Sequence, residues 1–183
     1  MTHINNPLRD AIRQTDLKQI KLLAMDVDGV LTDGTIIIGS DGTEFKTFSL
    51  LDGHGIKMWR RAGLKTALIS GRESTVTKQR AKEMEIDFVY QPCQKKLDCF
   101  EKLLSDSKLE PKNIAYIGDD VLDIPLVKRA GFGIAVANAV DELKSCAHYI
   151  TSRTGGSGAV REVVEYILRN TGQWAALMER YLV

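Results

Sequence analysis

Short apolar runs alternate with segments of helical period along most of the chain. The apolar runs indicate buried strands, and they are Ile20–Met25, Lys65–Ile69, Phe88–Tyr90, Asn113–Ile117, Gly133–Ala137 and, most weakly, His148–Ile150. The helical spacing predicts helices over Ile56–Arg61, Ser74–Met84, Lys95–Ser105, Val121–Arg129, Val140–Ser145 and Gly158–Asn170. This alternation predicts an α/β fold with a central parallel sheet and helices on both faces.

One segment, Thr35–Ser49, departs from this alternation. It carries β-branched and aromatic residues on both sides of the turn cluster Gly39–Gly42, which predicts a β-hairpin. The segment follows the first predicted strand, at the sheet edge where parallel sheets bind their ligands. We therefore expect a hairpin flap that projects beyond this edge of the sheet.

The C-terminal segment, residues 171–183, is a second unusual region, because it is short and rich in apolar residues. Its large side chains are Trp174, Leu177, Met178, Tyr181 and Leu182. Such a tail should either pack on its own core or meet a neighbouring subunit, and the sequence leaves both alternatives open. We find no repeat, low-complexity tract or linker, so residues 1–183 are predicted to form a single domain.

Composition narrows the function classes. The chain has 183 residues with 25 Lys+Arg against 24 Asp+Glu, a net charge of +1 that lacks the basic excess of a nucleic-acid binder. No apolar run approaches the ~20 residues of a membrane span, and Met1–Asp16 lacks the apolar stretch of a signal peptide. We therefore expect a cytoplasmic protein with no nucleic-acid or membrane partner. Cys93, Cys99 and Cys146 are interpreted as reduced thiols.

Carboxylates gather at the ends of two predicted strands. Asp26 and Asp28 follow the first strand, and Asp119, Asp120 and Asp123 follow the fourth. Like charges this close are costly unless a cation or a proton separates them. Turn formation at Asp28 is a structural alternative for the first pair. Helix capping by Asp120 is one for the second group, but it does not account for all three of those acids. The pattern predicts an oxygen-rich pocket suited to Mg²⁺.

Polar and basic residues occupy two further junctions between strands and helices. Ser70 and Gly71 follow the second predicted strand, where a hydroxyl and free N–H groups at a helix start would suit an anion. Simple capping of the helix by Ser70 is the alternative. Lys95 and Lys96 open another helix, where the helix dipole disfavours cations, so one of them is expected to have a ligand. An exposed lysine is the alternative for each.

Taken in order, these sites resemble the four motifs of the haloacid dehalogenase-like superfamily. The matching segments are Asp26–Val30, Ile69–Arg72, Lys96 and Gly118–Asp123. Within that superfamily the chain is similar to the sugar-acid phosphatases of lipopolysaccharide synthesis, through the hairpin, Thr32–Gly34, Asp52–Ile56 and Gly155–Glu162. The resemblance covers nearly all of the chain after Leu17. It implies a Rossmannoid three-layer fold with a hairpin flap and no separate cap domain, and hydrolysis of a phosphorylated sugar acid.

The resemblance also implies a role for each matching acid. Asp26 is expected to be the nucleophile that forms an aspartyl-phosphate. Asp28 is expected to protonate the leaving oxygen and then to activate water. Mg²⁺ is expected on Asp26, the backbone carbonyl of Asp28 and Asp119, with Asp120 and Asp123 supporting these ligands.

Ser70 and Lys96 are expected by resemblance to hold the phosphoryl oxygens. Further substrate contacts are implied for Asp28, Ser49, Asp52, Gly53, Lys57, Arg72 and Arg80. His54 lies in this region without a metal-ligand partner at a suitable spacing.

Two positions depart from the family pattern, since Leu51 stands where the family usually has arginine and Pro92 where it usually has glycine. Leu51 leaves open a phosphatase for a related nonulosonate or for another small sugar phosphate. A non-catalytic binding subunit is the alternative from a different class.

The chain has no room for a cap domain that would close the site. Neither the span from Asp26 to Ser70 nor that from Ser70 to Lys96 reaches the ~50 residues of a small domain. By resemblance we expect a homotetramer in which the hairpin of one subunit covers its neighbour's site. An exposed hairpin on a monomer is the alternative, and the apolar run Ile36–Ile38 argues against it.

Overall fold

A computed structural model describes residues 16–182 of the chain. The residues before Asp16, on which the expectation about a signal peptide rests, lie outside this range, as does Val183. Within the described range no helix is both long and apolar enough to cross a bilayer. The assignment of residues 1–183 to one domain stays a prediction.

A six-stranded parallel sheet forms the centre of the fold. Its strands are β1 (Leu22–Met25), β4 (Lys65–Ile69), β5 (Phe88–Tyr90), β6 (Ile114–Gly118), β7 (Phe132–Ala135) and β8 (Tyr149–Ile150), in the order β5-β4-β1-β6-β7-β8. Every residue of β1, β6 and β7 is buried, which is why these strands are apolar throughout and do not alternate. The predicted parallel sheet is confirmed, with each strand end within two residues of its predicted position.

Helices follow the strands, as the alternation predicts. They are α1 (Leu50–Arg61), α2 (Thr75–Glu83), α3 (Lys96–Ser107), α4 (Ile124–Arg129), α5 (Asp141–Lys144), α6 (Ala159–Asn170) and α7 (Trp174–Glu179). The predicted start of α1 at Ile56 was wrong, because the Ser49 hydroxyl caps the helix by accepting from the backbone N–H of Leu51 at 3.2 Å. Gly53 and Gly55 lie inside this helix and weaken its sequence signal, since glycine disfavours helix interiors.

The predicted hairpin is present, with shorter strands than the sequence suggests. Strands β2 (Ile37–Ile38) and β3 (Glu44–Phe45) pair antiparallel. The Gly39 N–H donates to the Thr43 carbonyl at 2.8 Å and closes the turn between them. The apolar side chains of both strands are largely exposed, so the hairpin presents an apolar outer surface.

The C-terminal tail contacts its own chain, while contact of its exposed residues Tyr181 and Leu182 with a neighbouring subunit stays a prediction. Helix α7 contacts α6, and the Trp174 ring lies 4.2 Å from the guanidinium of Arg169. The Tyr181 hydroxyl accepts a hydrogen bond from Arg61 Nη1 at 2.7 Å and lies 3.0 Å from His54 Nε2. These contacts attach the tail to the outer face of α1.

Cys93 and Cys99 form a disulfide, so the interpretation of both residues as reduced thiols was wrong. They lie six positions apart without the spacing of a common cysteine motif. The first turn of α3 brings Cys99 back towards Cys93, with the two Cα atoms 6.3 Å apart. Cys146 is a free cysteine, as expected.

Candidate active site

The register of the sheet brings the three strand ends with polar residues to one edge. Met25 of β1 lies opposite Leu68 of β4 and Ile117 of β6. The residues that follow these strands therefore emerge together, as parallel strands require. They surround a cavity of about 260 Å³ that is lined by Asp26, Asp28, Gly34, Ser70, Gly71, Arg72, Lys96, Asp119, Asp120 and Leu122.

A buried lysine bridges two carboxylates at the floor of this cavity. Lys96 Nζ donates to Asp26 Oδ2 and to Asp123 Oδ1, each at 2.6 Å. Burial alone would lower the pKa of the Lys96 ammonium, but the two carboxylates outweigh it and raise the pKa above its usual value. Lys96 therefore stays charged although it is the first residue of a helix. Lys95, the preceding residue, is exposed.

Asp123 is fully engaged by protein groups. Its Oδ1 also accepts from the Tyr116 hydroxyl at 2.6 Å, and its Oδ2 accepts from the backbone N–H of Asp119 at 3.1 Å and of Asp120 at 3.4 Å. With both oxygens engaged, Asp123 is suited to orient Lys96 and the Asp119 loop. Asp120 caps the short turn that follows, since its side chain accepts from the Val121 N–H.

The acidic centre fits a divalent cation. Carboxylate oxygens of Asp26, Asp119 and Asp123 lie within 4.8 Å of one another, and Asp119 Oδ1 is buried without a hydrogen-bond partner. Burial raises the pKa of Asp119 to about 8, with the charges of Asp26 and Asp123 adding to the effect. Burial likewise raises the pKa of Asp26 to about 6. Asp119 has a carboxylate oxygen without a partner, and the Asp26 carboxylate lies beside it, although it also accepts from Lys96. These are the oxygen ligands that Mg²⁺ prefers.

Gly29 leaves the space that Asp119 occupies. A Cβ atom at Gly29 would lie 2.0 Å from Asp119 Oδ2, and its φ of +89° also favours glycine. Glycine is therefore required after Asp28 for two reasons, namely its close packing against Asp119 and the geometry of the turn.

The loop after β4 contributes polar groups to the same cavity. The Ser70 hydroxyl is buried and accepts from the backbone N–H of Arg72 at 3.3 Å. Helix α2 begins only at Thr75 and is capped by Ser74, whose hydroxyl accepts from the Thr77 N–H at 3.2 Å. The expectation that Ser70 lies at a helix N-terminus was therefore wrong, because a loop separates it from the helix.

The residues expected to contact substrate fall into two groups. Asp28, Arg72 and Lys96 line the main cavity. Gly53, Lys57 and Arg80 line a second cavity of about 280 Å³, together with Leu50, His54, Glu83 and Met84. Ser49 and Asp52 line neither cavity.

Asp52 anchors one helix to another. Its buried carboxylate accepts from the backbone N–H of Arg161 at 2.8 Å and of Gly158 at 3.1 Å, at the N-terminus of α6. Free N–H groups at a helix start require such acceptors when they are buried. The contacts made by Asp52 therefore hold α6 against α1.

We expect the substitution Asp52→Ala to lower the free energy of unfolding by about 1–2 kcal/mol, because it removes a helix cap and leaves buried donors unpaired. Urea denaturation of wild type and variant measures the change. Asp98→Ala is the matched control, since Asp98 is an exposed acid in the first turn of α3. Equal stability of the two variants would contradict the anchoring role.

Two residues at the site were missed by the sequence analysis. Tyr116 donates to Asp123 from inside β6, where the only signal was a tyrosine in an otherwise apolar strand, whose buried hydroxyl needs a partner. Lys46, just after β3, donates to Asp28 Oδ1 at 2.6 Å. The hairpin was predicted as a flap, and within it only Ser49, at its C-terminal end, was assigned a contact with the substrate.

Known proteins are similar to this chain over most of its length. The family of haloacid dehalogenase-like hydrolases matches residues 89–163. The 3-deoxy-D-manno-octulosonate 8-phosphate phosphatase KdsC of Salmonella typhi is 40% identical over 159 residues, which cover 87% of this chain and 85% of the relative. The enzyme of the same name from Yersinia pestis is 40% identical over 162 residues, or 88% and 86% of the two chains.

Solved structures agree with this relationship. A probable YrbI family phosphatase from Pseudomonas syringae has a TM-score of 0.91 at 44% identity, covering 95% of this chain and 98% of that one. The 3-deoxy-D-manno-octulosonate 8-phosphate phosphatase of Moraxella catarrhalis, in complex with magnesium, phosphate and KDO, has a TM-score of 0.88 at 41% identity, covering 98% and 99%. The chain therefore belongs to the haloacid dehalogenase-like hydrolases and, among them, to the family of the KdsC phosphatases.

Proposed function

We propose that this chain is a Mg²⁺-dependent phosphatase that hydrolyses 3-deoxy-D-manno-octulosonate 8-phosphate (KDO 8-phosphate) to KDO and phosphate, in lipopolysaccharide synthesis. The observation that carries the proposal is the centre of Asp26, Asp119 and Lys96 beneath an open cavity. The relatives support it, since the KdsC enzymes carry this activity in their name and the Moraxella structure holds magnesium, phosphate and KDO.

The proposed reaction uses two aspartates in sequence. The Asp26 carboxylate attacks phosphorus, the bond to the sugar oxygen breaks, and Asp28 gives that oxygen its proton. Asp28 then takes a proton from the water that hydrolyses the aspartyl-phosphate. Ser70 and Lys96 bind the phosphoryl oxygens during both transfers. Mg²⁺, held by Asp26, Asp119 and the Asp28 backbone carbonyl, would neutralise charge on the transferring phosphoryl group.

The positions of Lys96 and Asp123 support this division of roles. Asp123 keeps the lysine beside Asp26, where its ammonium offsets the charge that the nucleophile brings to an anionic substrate. Asp120 is proposed to steady the loop that carries Asp119, through its cap on the following turn.

Basic residues are proposed to bind the sugar-acid end of the substrate. Arg72 lies at the main cavity, and Lys57 and Arg80 lie at the second one with Gly53. Arginine suits a carboxylate because its planar group donates two parallel hydrogen bonds. Ser49 and Asp52 stay in the proposed substrate region because they lie at the start of α1 next to Gly53, which lines the second cavity. Their own hydrogen bonds are with backbone N–H groups.

A second candidate substrate class remains, namely a related nonulosonate phosphate or another small sugar phosphate. It is favoured by Leu51, an exposed residue in the first turn of α1 where the family usually has arginine. Losing one cation near the sugar acid would change the preferred ester without changing the phosphoryl chemistry. The intact carboxylate and lysine centre disfavours the third alternative, a non-catalytic binding subunit.

We propose that the subunits form a homotetramer in which hairpins cover neighbouring sites. Ile37, Ile38 and Phe45 support this, since each is more than half exposed on a hairpin that stands beside the open cavity. Exposed apolar strands of this kind are usually covered in an assembly. Sedimentation analysis tests the proposal, and a fully active monomer would contradict it.

The cytoplasm stays the proposed location, on the composition of the chain.

The substrate proposal predicts a clear pattern in phosphate-release assays. KDO 8-phosphate should be hydrolysed faster than other sugar phosphates in a panel, with excess chelator abolishing release and Mg²⁺ restoring it. Faster release from a nonulosonate phosphate would support the second candidate class. Full activity in the presence of chelator would contradict the metal requirement.

A further inference from the structure

Lys46 connects the hairpin to the active site of its own subunit. Its Nζ lies 2.6 Å from Asp28 Oδ1, 3.4 Å from Thr77 Oγ1 and 3.6 Å from Glu44 Oε1. The Lys46 side chain is completely buried, although the hairpin around it is largely exposed. A lysine side chain rarely leaves water completely unless it is paired. The Asp28 carboxylate is the anionic partner within direct hydrogen-bonding distance.

The alternation of side chains along the hairpin explains how Lys46 reaches this position. Glu44 and Lys46 lie two residues apart and face the site, whereas Phe45 and Thr47 between and after them are exposed. Arg72 Nη2 also lies 3.6 Å from Glu44 Oε1. The inner side of the hairpin thus joins a chain of alternating charges that runs from Arg72 to Asp28.

The hydrogen bond from Lys46 holds Oδ1 of Asp28, and Oδ2 is left available. Within residues 16–182, Lys46 Nζ is the one protein group that donates to this carboxylate, and it donates to Oδ1. Asp28 itself lines the main cavity beside Asp26. Without this bond the carboxylate would turn freely about its side-chain torsions, and a proton donor that is out of line loses much of its effect.

We propose that Lys46 is a positioning residue that fixes the Asp28 carboxylate for proton transfer to the leaving oxygen in the same subunit. The inference rests on the proposed function, in which Asp28 is the general acid and base. It gives the hairpin a part in its own subunit's chemistry, besides any cover that it provides for a neighbour.

The nature of the leaving group separates this role from a merely structural one. A sugar alkoxide leaves poorly unless it is protonated, whereas 4-nitrophenolate leaves without help from an acid. A variant with a misplaced Asp28 should therefore lose more rate on alkyl phosphates than on aryl phosphates. A variant with a damaged fold or a displaced metal should lose rate on both to the same extent.

The test is Lys46→Met, which keeps the length of the side chain and removes its charge. With saturating Mg²⁺, we expect kcat for KDO 8-phosphate to fall roughly 10–100-fold, part of the usual contribution of an acid–base group. The ratio of this kcat to that for 4-nitrophenyl phosphate should fall at least about ten-fold. Lys112→Met is the matched control, since Lys112 forms an exposed ion pair with Glu110 at 2.8 Å and should leave the ratio unchanged.

Two further variants keep the test decisive. Lys46→Arg retains a cation, so its ratio should lie between those of wild type and Lys46→Met, and it carries the test if the methionine variant does not fold. In an Asp28→Asn background, Lys46→Met should add less than about a two-fold further loss, because residues that act as a unit are non-additive.

Equal losses on the two esters, or losses that multiply in the double variant, would overturn the role of Lys46. The proposed substrate is judged separately, by the wild type. If the wild type prefers a different sugar phosphate, the assignment to KDO 8-phosphate fails, and the same ratio measured with that ester still decides the role of Lys46.

Discussion

Asp26→Asn should abolish turnover, with kcat for phosphate release falling at least about 10,000-fold, as expected when a covalent nucleophile is removed. The amide is nearly isosteric, but it is neutral and a poor nucleophile towards phosphorus. The backbone N–H of residue 26 would still donate to the Ile117 carbonyl, so the strand end should keep its place. Steady-state phosphate release with saturating Mg²⁺ measures the loss.

The same substitution should also weaken metal binding, because it replaces a negatively charged carboxylate beside Asp119 with a neutral amide. Titration calorimetry with Mg²⁺ and the metal-free variant measures this second effect. Asp141→Asn is the control, since the Asp141 side chain is almost fully exposed in α5. If Asp26→Asn kept more than about a hundredth of the wild-type kcat, the nucleophile would have to be another group.

The strand ends were the part of the site most accessible to sequence analysis. Asp26 and Asp119 follow apolar runs directly, and a strand that is buried on both faces has a pattern that can be recognised without neighbours. Once the strands are parallel, their carboxyl ends must share one edge, so local sequence already implies that these acids meet. The register of β1 against β6 agrees with this implication.

Contacts between distant elements were not accessible in the same way. The hydrogen bond from Lys46 to Asp28 depends on how the hairpin lies over the edge of the sheet. The pattern of apolar and polar residues along the hairpin does not determine that orientation. Tyr116 is similar, since its partner becomes evident only when the Asp123 turn returns over the strand. Gly53 and Gly55 concealed the first half of α1, because glycine disfavours helix interiors. Both positions pack closely against Arg80 and Arg161, and that packing cannot be recognised from the local sequence.

The predicted substrate residues illustrate a further limit. Gly53, Lys57 and Arg80 were expected by resemblance to contact the substrate, and in the subunit they line a cavity separate from the one that Ser70 and Lys96 line. Gly53 is adjacent to Arg80, whose Nη2 would lie 2.7 Å from a Cβ atom at that position. The order of motifs indicates which residues belong to a site. The orientation of α1 and α2 determines which of those residues lie in the same cavity of one chain.

Lys96→Met should damage both activity and stability, because Asp26 and Asp123 would remain buried without their shared cation. We expect kcat to fall by about 100–1,000-fold, as for loss of a group that stabilises developing charge. In the metal-free protein the free energy of unfolding should fall by about 3–5 kcal/mol, as when one partner of a buried ion pair is removed. Phosphate release and urea denaturation in chelator measure the two effects.

Metal and a neighbouring lysine provide the controls for this variant. Saturating Mg²⁺ should reduce the stability loss, because a cation beside Asp26 and Asp119 replaces part of the missing charge. Lys95→Met removes the same charge one residue earlier, at an exposed position, and should leave both quantities near their wild-type values. If the two methionine variants behaved alike, the bridge from Lys96 to Asp26 and Asp123 would have no special importance, and the charge of the helix start would explain both results.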